Sequence, residues 1–269
     1  MSDLPGGNPI RPLDGVRVVD AATILAGPFA ASVLGEFGAD VIKVEQPTVG
    51  DPMRRLGTAG PDGDTWWWLS DTRNKESVEL DLRTTEGAES FRSMVDRADV
   101  LVENYRTGTM ERWGLGFESL RERNPRLVQL SVSGYGRTGP LATTAGVARI
   151  AESFTGMAHL TGEGDGPPNL SGSSGLADYL AGLYGALGVL LAIRSREATG
   201  RGQLVDVALY DGIARILDEL VPVYAATGFG RERMGSETHR SVPHSNYRTI
   251  DGRWLTIACT NDRMFGGLA

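Results

Sequence analysis

Residues Ser171 to Gly212 read SGSSGLADYLAGLYGALGVLLAIRSREATGRGQLVDVALYDG. A small-residue loop leads to one carboxylate, Asp178, and the fifteen residues that follow, Tyr179 to Ile193, carry no charge and no proline. Their glycines and alanines are spaced for close backbone approach, the pattern of a buried helix with an acid at its mouth. Thr199-Gly200-Arg201-Gly202 then makes a turn; Val205, Val207 and Leu209 alternate with Asp206 and Ala208 as a half-buried strand, and a new helix opens near Asp211. Helix, glycine turn, strand, helix is one crossover of an α/β layer.

Outward toward the N-terminus the same architecture recurs. VRVVDA (16–21) is a short apolar run, Ala26-Gly27-Pro28 opens a helix with proline in its first turn, and DVIKVE (40–45) alternates as the next strand. This βαβ unit predicts a Rossmann-like open sheet. No G-x-G-x-x-G follows the first strand, which argues against an NAD or FAD enzyme. Further on, Thr84 or Thr85 caps a helix that carries Phe91, Met94, Val95 and Ala98 on one face, and VLVEN (100–104) is the strand after it. PRLVQLSVSGYGRTG (125–139) is a strand that ends in a glycine-rich loop, where open α/β sheets tend to bind ligands, and this makes Tyr135 and Gly136 candidates for a substrate loop. Ile213 to Tyr224 is apolar at helical spacing, and YRTIDGRWLTIACTND (247–262) alternates like a hairpin around Asp251-Gly252.

Composition bounds the function classes. A chain of 269 residues with 41% hydrophobic residues can bury a sizeable core, and a net charge of −7 disfavours nucleic acid or an anionic membrane as a partner. One cysteine, Cys259, rules out an internal disulfide framework and fits a reducing, cytoplasmic compartment. The fifteen-residue uncharged run is shorter than a membrane span and rich in glycine, so it reads as core. His159, His239 and His244 lack metal-ligand spacing, and no metal is expected. Three consecutive tryptophans, Trp66 to Trp68, read as core or interface packing.

A carboxylate in the first helical turn is favoured by the helix dipole and fixed in direction. Such a group can serve as a nucleophile. It can equally be a helix cap and nothing more, and the residues alone leave both readings open.

The segment Gly172–Asp178, the apolar helix and ATGRGQLVDVALYDG (198–212) together resemble the catalytic segment of the family III CoA-transferases. That family includes formyl-CoA:oxalate and carnitine CoA-transferases and α-methylacyl-CoA racemase. Three further blocks resemble it in the same order: PLDGVRVVDAATILAGPFAASVLGEFGADVIKVEQPTVGDPMR (12–54), NKESVELDLR (74–83) and VENYRTGTMERWGLG (102–116). The resemblance implies that Asp178 is the catalytic nucleophile and that Thr23, Ile24 and Leu25 line a CoA channel. Leu25 stands where the formyl transferase has glutamine, so the acid substrate need not be oxalate. Leu80 and Arg83 would border the adenine and phosphates of CoA, where Glu76 replaces a usual basic residue. Arg106 and Arg112 would hold phosphates, for which the planar guanidinium fork is suited.

The racemase branch carries a Gly-His-Asp sequence where this chain has Gly146-Val147-Ala148. Valine cannot move a proton, so transferase ranks above racemase. The expected activity is transfer of CoA from an acyl-CoA to a carboxylic acid through a covalent aspartyl thioester, with CoA as substrate and no permanently bound cofactor. The alternatives are an acyl-CoA racemase or isomerase with Asp178 as base, and a CoA-binding subunit active only with a partner chain.

The resemblance also implies a small second domain, a mobile glycine-rich loop with Gly235 a candidate for it, and an interlocked dimer. The expected organisation is a flexible tail over residues 1–12, a large α/β CoA-binding domain over 13–225 and the beginning of a small domain over 226–269. Family members continue further, so the small domain is expected to be truncated, interlocking incomplete, and the partner either a second copy or a complementary C-terminal chain.

Overall fold

The computed structural model describes residues 11–172 and 174–269; the expected tail over residues 1–12 falls for its first ten residues outside the described part. Two compact units are formed, one from residues up to Ala151 together with Gly175–Arg215, the other from Glu152–Ser174 together with Ile216–Ala269. The second unit thus draws on two stretches of chain, where the sequence suggests a single boundary near Ala226.

In the first unit the elements are β1 (Arg17–Asp20), α1 (Ala26–Glu36), β2 (Asp40–Glu45), α2 (Trp66–Asp71), β3 (Lys75–Glu79), α3 (Thr85–Val95), β4 (Val100–Glu103), α4 (Thr109–Arg112), α5 (Phe117–Arg123) and β5 (Val128–Ser133). There follow α6 (Ala148–Phe154), α7 (Met157–Leu160), α8 (Leu176–Thr199), β6 (Leu204–Ala208), α9 (Leu209–Ile216), α10 (Leu220–Thr227), the hairpin β7 (His244–Arg248) and β8 (Trp254–Ala258), and α11 (Asp262–Leu268). Of these, α7, α10, α11 and the antiparallel β7–β8 pair belong to the second unit.

Six parallel strands lie in the order β3-β2-β1-β4-β5-β6. This is the doubly wound order, in which the direction of winding reverses between β1 and β4 and leaves a crevice at the carboxyl ends of those two strands. Strands buried on both faces read as near-continuous apolar runs, as VRVV, VLVE and VQLSVS do. Val19, Val44 and Leu101 point to one face, where they pack with Ala88, Phe91 and Val95 of α3 and with Met110 and Leu120. Thr84 caps α3, its Oγ1 accepting from the Gly87 N–H at 3.0 Å.

The opposite face is covered by α1 and α8. α8 is long and apolar enough to cross a membrane, but it packs on α1, β5 and β6 as a core helix. It comes this close because of its glycines. A Cβ on Gly182 would stand 2.8 Å from the Ala26 carbonyl oxygen and 2.9 Å from Phe29, one on Gly185 2.8 Å from Leu130, and one on Gly188 2.7 Å from Val205.

The apolar run Ile213–Tyr224 is expected as one helix and is found as two, α9 and α10. Asp218 between them takes a left-handed φ of 66°. The restart at Leu220 puts Pro222 in a first turn, where its missing N–H does no harm.

Gly182→Val tests the close approach, because the obstacle is backbone and cannot give way. The expected loss in chemical denaturation is about 1–3 kcal/mol, whereas Leu191→Ala on the exposed side of the same helix stays within about 0.5 kcal/mol.

Candidate active site

Asp178 lies in the first turn of α8, and its position depends on what precedes it. A Cβ at Gly175 would meet the Asp178 Oδ2 and the Leu25 Cδ2 at 2.9 Å each, so the carboxylate folds back beside Leu25 with only a glycine between. The next residue, Tyr179, anchors the helix end: its hydroxyl donates to Asp71 Oδ2 at 3.0 Å, and the Trp67 Nε1–H donates to both Asp71 Oδ2 and the Tyr179 oxygen at 2.9 and 3.0 Å. The Phe29 ring meets Tyr179 edge to face, with centroids 4.7 Å apart. Burial, and the nearby Asp71 carboxylate, push the Tyr179 hydroxyl up from its ordinary pKa.

Opposite Asp178, the chain leaves β1 at the topological switch point and turns into α1. Asn104, at the end of β4, grips Thr23 by both backbone groups: its Oδ1 accepts from the Thr23 N–H at 2.8 Å and its Nδ2 donates to the Thr23 carbonyl at 2.7 Å. Ile24 follows with φ 65°, a conformation that a residue branched at Cβ rarely adopts, and its N–H donates to the buried Asp51 carboxylate at 3.1 and 3.2 Å. Leu25 then precedes the first turn of α1.

Behind this turn lies an alternating row of charges. The Lys75 ammonium is 2.9 Å from Asp20 Oδ2, the Lys43 ammonium is 3.9 Å from Asp20 Oδ1 and 3.0 Å from Asp51 Oδ2, and Lys43 also donates to the Ala22 carbonyl. Desolvation lowers the Lys75 pKa against the pull of Asp20. Burial raises the Glu45 carboxyl, but hydrogen bonds from Arg54 at 2.8 Å, Ser77 at 2.5 Å and the Asp51 N–H at 2.8 Å outweigh it and hold the carboxyl at about 2.

Two neighbouring clefts open on this turn. One, of about 240 Å³, is lined by Thr23, Ile24, Leu25, Asn104, Ser133, Gly134, Val147 and Asp178 among others. Asp178 is the only ionisable side chain lining it among the described residues. The second, of about 280 Å³, is lined by Thr23, Glu45, Asp51, Leu80, Arg83, Tyr105 and Trp113 among others.

Of the residues singled out in the sequence, Thr23, Ile24, Leu25 and Asp178 therefore meet around one cleft, and Leu80 and Arg83 around the next. Arg83 holds Asp81 in a two-bond fork at 2.8 Å. Arg106 and Arg112 are exposed and line neither cleft; Arg112 donates to Thr109 Oγ1 at 2.8 Å. Tyr135 and Gly136 also line neither, the Tyr135 ring lying 6.3 Å from that of Tyr210. Gly235 belongs to the second unit, where its N–H donates to the Gly162 carbonyl at 2.9 Å.

Sequence reasoning overlooked Asn104, Asp51 and Lys43 as shapers of the site. The signal available for Lys43 was a charge in the middle of DVIKVE, since a lysine on a doubly buried strand requires a partner.

A doubly wound sheet with neighbouring clefts at the carboxyl ends of its strands has its openings where open α/β sheets bind ligands. The chain belongs to CoA-transferase family III, whose model matches residues 13–269. It is 51% identical to the alpha subunit of succinyl-CoA:L-malate CoA-transferase from Chloroflexus aurantiacus, over 98% of this chain and 62% of that one. The beta subunit of the same enzyme is also 51% identical, over 99% of this chain and 66% of that subunit. Among solved structures, a CAIB/BAIF family protein from Brucella suis superposes with a TM-score of 0.87 at 39% identity, covering 96% of this chain and 68% of its own. The chain thus spans less than two thirds of the length of the two Chloroflexus subunits.

The Glu45 network predicts acid sensitivity. Its folded pKa of about 2 lies below the ordinary 4.5, so its contribution is complete above pH 4.5 and is lost as pH falls toward 2. In denaturation midpoints measured across that range, Arg54→Met is expected to lose less stability on acidification than the wild type, by roughly 1–2 kcal/mol.

Proposed function

We propose that the chain carries the catalytic half-site of an acyl-CoA:carboxylic-acid CoA-transferase in which Asp178 is the nucleophile. The observation that carries this reading is the cleft itself: one carboxylate, facing Ile24, Leu25 and Val147, with no second ionisable group in the lining among the described residues. A carboxylate needs no base to become a nucleophile. A racemase needs groups that remove and return a proton, and Val147 supplies none.

In this mechanism an Asp178 oxygen attacks the thioester carbonyl of acyl-CoA, the C–S bond breaks, and an aspartyl acyl anhydride and CoA thiolate result. The thiolate attacks the aspartyl carbonyl and releases the donor as its carboxylate, leaving an aspartyl-CoA thioester. An acceptor carboxylate attacks that thioester and expels the thiolate, which then takes the acceptor's acyl group from the new anhydride and frees Asp178. No net proton is exchanged, and CoA serves as substrate with no resident cofactor.

The clefts give the proposal its direction. The reacting thioester lies in the cleft at Asp178, and the nucleotide end of CoA in the neighbouring cleft by Leu80 and Arg83. Arg106, shortly after β4, and Arg112, the last residue of α4, both exposed, remain the proposed outer phosphate contacts. A dicarboxylic donor such as succinyl-CoA and a hydroxy-acid acceptor such as malate are the substrates to try first, by likeness to the Chloroflexus subunits. Their naming as alpha and beta subunits also supports an assembly of related chains, either a homo-oligomer or a pair with a complementary chain. A cytoplasmic setting goes with the single thiol, Cys259.

Trapping tests the chemistry. After incubation with succinyl-CoA and hydroxylamine or borohydride, mass spectrometry is expected to find a modification on Asp178 in the wild type and none in Asp178→Ala, whose turnover falls at least about 10³-fold. Exchange of an α-proton with deuterium in the absence of any acceptor acid would instead establish the racemase reading.

A further inference from the structure

The left-handed Ile24 stands at the wall of the cleft that holds Asp178, and it is 43% exposed there, so it is not retained for core packing. A strained backbone of this kind persists only where its surroundings over-determine it. Here the determinants are all side chains from distant parts of the chain. Lys43 holds the Ala22 carbonyl, Asn104 holds both backbone groups of Thr23, and Asp51 accepts the Ile24 N–H. Asp51 is fixed in turn. Its Oδ1 accepts from the Met53 N–H at 2.8 Å, its Oδ2 meets Lys43 at 3.0 Å, and its own N–H donates to Glu45 at 2.8 Å.

We propose that Asp51, with Lys43 as its counter-ion, is a positioning residue for the reaction at Asp178: by accepting the Ile24 N–H it locks the Thr23–Leu25 turn in its left-handed form and thereby fixes Leu25 against the carboxylate. The link to chemistry is geometric. Leu25 Cδ2 and Asp178 Oδ2 converge on the same point above Gly175, so any relaxation of Ile24 to negative φ swings Leu25 away from the nucleophile. Asp51 itself stays behind the turn, its side chain about 1% exposed; it lines the neighbouring cleft and not that of Asp178, whose wall it reaches only through the Ile24 N–H. The kinetic part of this inference rests on the transferase reading; the structural part does not.

Two double variants test the acceptor at position 51. Lys43→Met/Asp51→Asn and Lys43→Met/Asp51→Leu both remove the Lys43–Asp51 charges and leave Asp20 paired with Lys75, and they differ in whether residue 51 can still accept from the Ile24 and Met53 N–H groups. In hydrogen exchange of the full chain, the Asn variant is expected to keep the wild-type protection of the Thr23–Leu25 amides. The Leu variant exchanges there at least about tenfold faster while β1 and α1 remain protected. With acyl-CoA and acceptor, the Leu variant is expected to lose about 10²-fold in kcat, with KM changed less than threefold, and the Asn variant to stay within about fivefold of wild type.

Equal exchange and equal kcat in the two folded variants would overturn the proposal, as would loss of protection spread over the whole sheet in the Leu variant alone. Should the wild type turn over no donor at all, the transferase reading falls, and the exchange comparison alone decides whether Asp51 holds the turn.

Discussion

The site depends on how near α8 comes to α1 and the sheet. The carbonyl oxygen of Ala26 occupies the space that a side chain at position 182 would need, and Leu130 and Val205 press on positions 185 and 188 in the same way. Helices that pack through side chains stand 8–10 Å apart (a typical range); a glycine stripe lets backbones approach more closely. That approach brings the first turn of α8 to the switch point between β1 and β4, and the turn after β1 sits directly opposite Asp178. A helix held farther off would carry its acid away from Leu25.

The second constraint is electrostatic. Four buried or nearly buried charges, Lys75, Asp20, Lys43 and Asp51, alternate in sign behind the turn. Removing ions from water is expensive, and a buried pair often stabilises no more than apolar residues of the same volume would. What the row does accomplish is directional: it presents acceptors and donors to the backbone of Ala22 and Ile24, which apolar residues could not. Breaking one member strands its neighbour uncompensated, at about 3–5 kcal/mol for such pairs, so the row acts as a unit.

Much of this architecture is legible from the residues in order. A short apolar run announces β1, alternation announces β2 and β6, the glycine-spaced uncharged run announces α8, and Asp178 is prominent as the acid that precedes that run. What escapes does so for separate physical reasons. β3 is hard to see because KESVE carries three charges and pairs only at the sheet edge, where side chains face water on one side. The break between α9 and α10 turns on one φ angle at Asp218. Asp51 and Asn104 reach partners 27 and 81 residues away, a distance that no local pattern encodes. Arg106 and Arg112, singled out through the family resemblance, stand exposed outside both clefts, a placement that residue type does not encode.

Ile24, Leu25 and Val147, in the cleft that Asp178 lines, offer no side chain for proton transfer, which accords with the proposed acyl exchange. In the proposed sequence every intermediate, anhydride or aspartyl thioester, is destroyed by water, and none requires a base. Ile24, Leu25 and Val147 present apolar surface in the cleft that Asp178 lines. A wall of this kind works only if it cannot recede when the substrate leaves. Side chains alone do not ensure that, because a leucine on a relaxed loop samples several rotamers and backbone wells. Rigidity has to come from the main chain, and a main chain strained at Ile24 stays in place only while polar partners hold it from behind. The position of the wall at the front of this cleft therefore depends on the charges buried at its back.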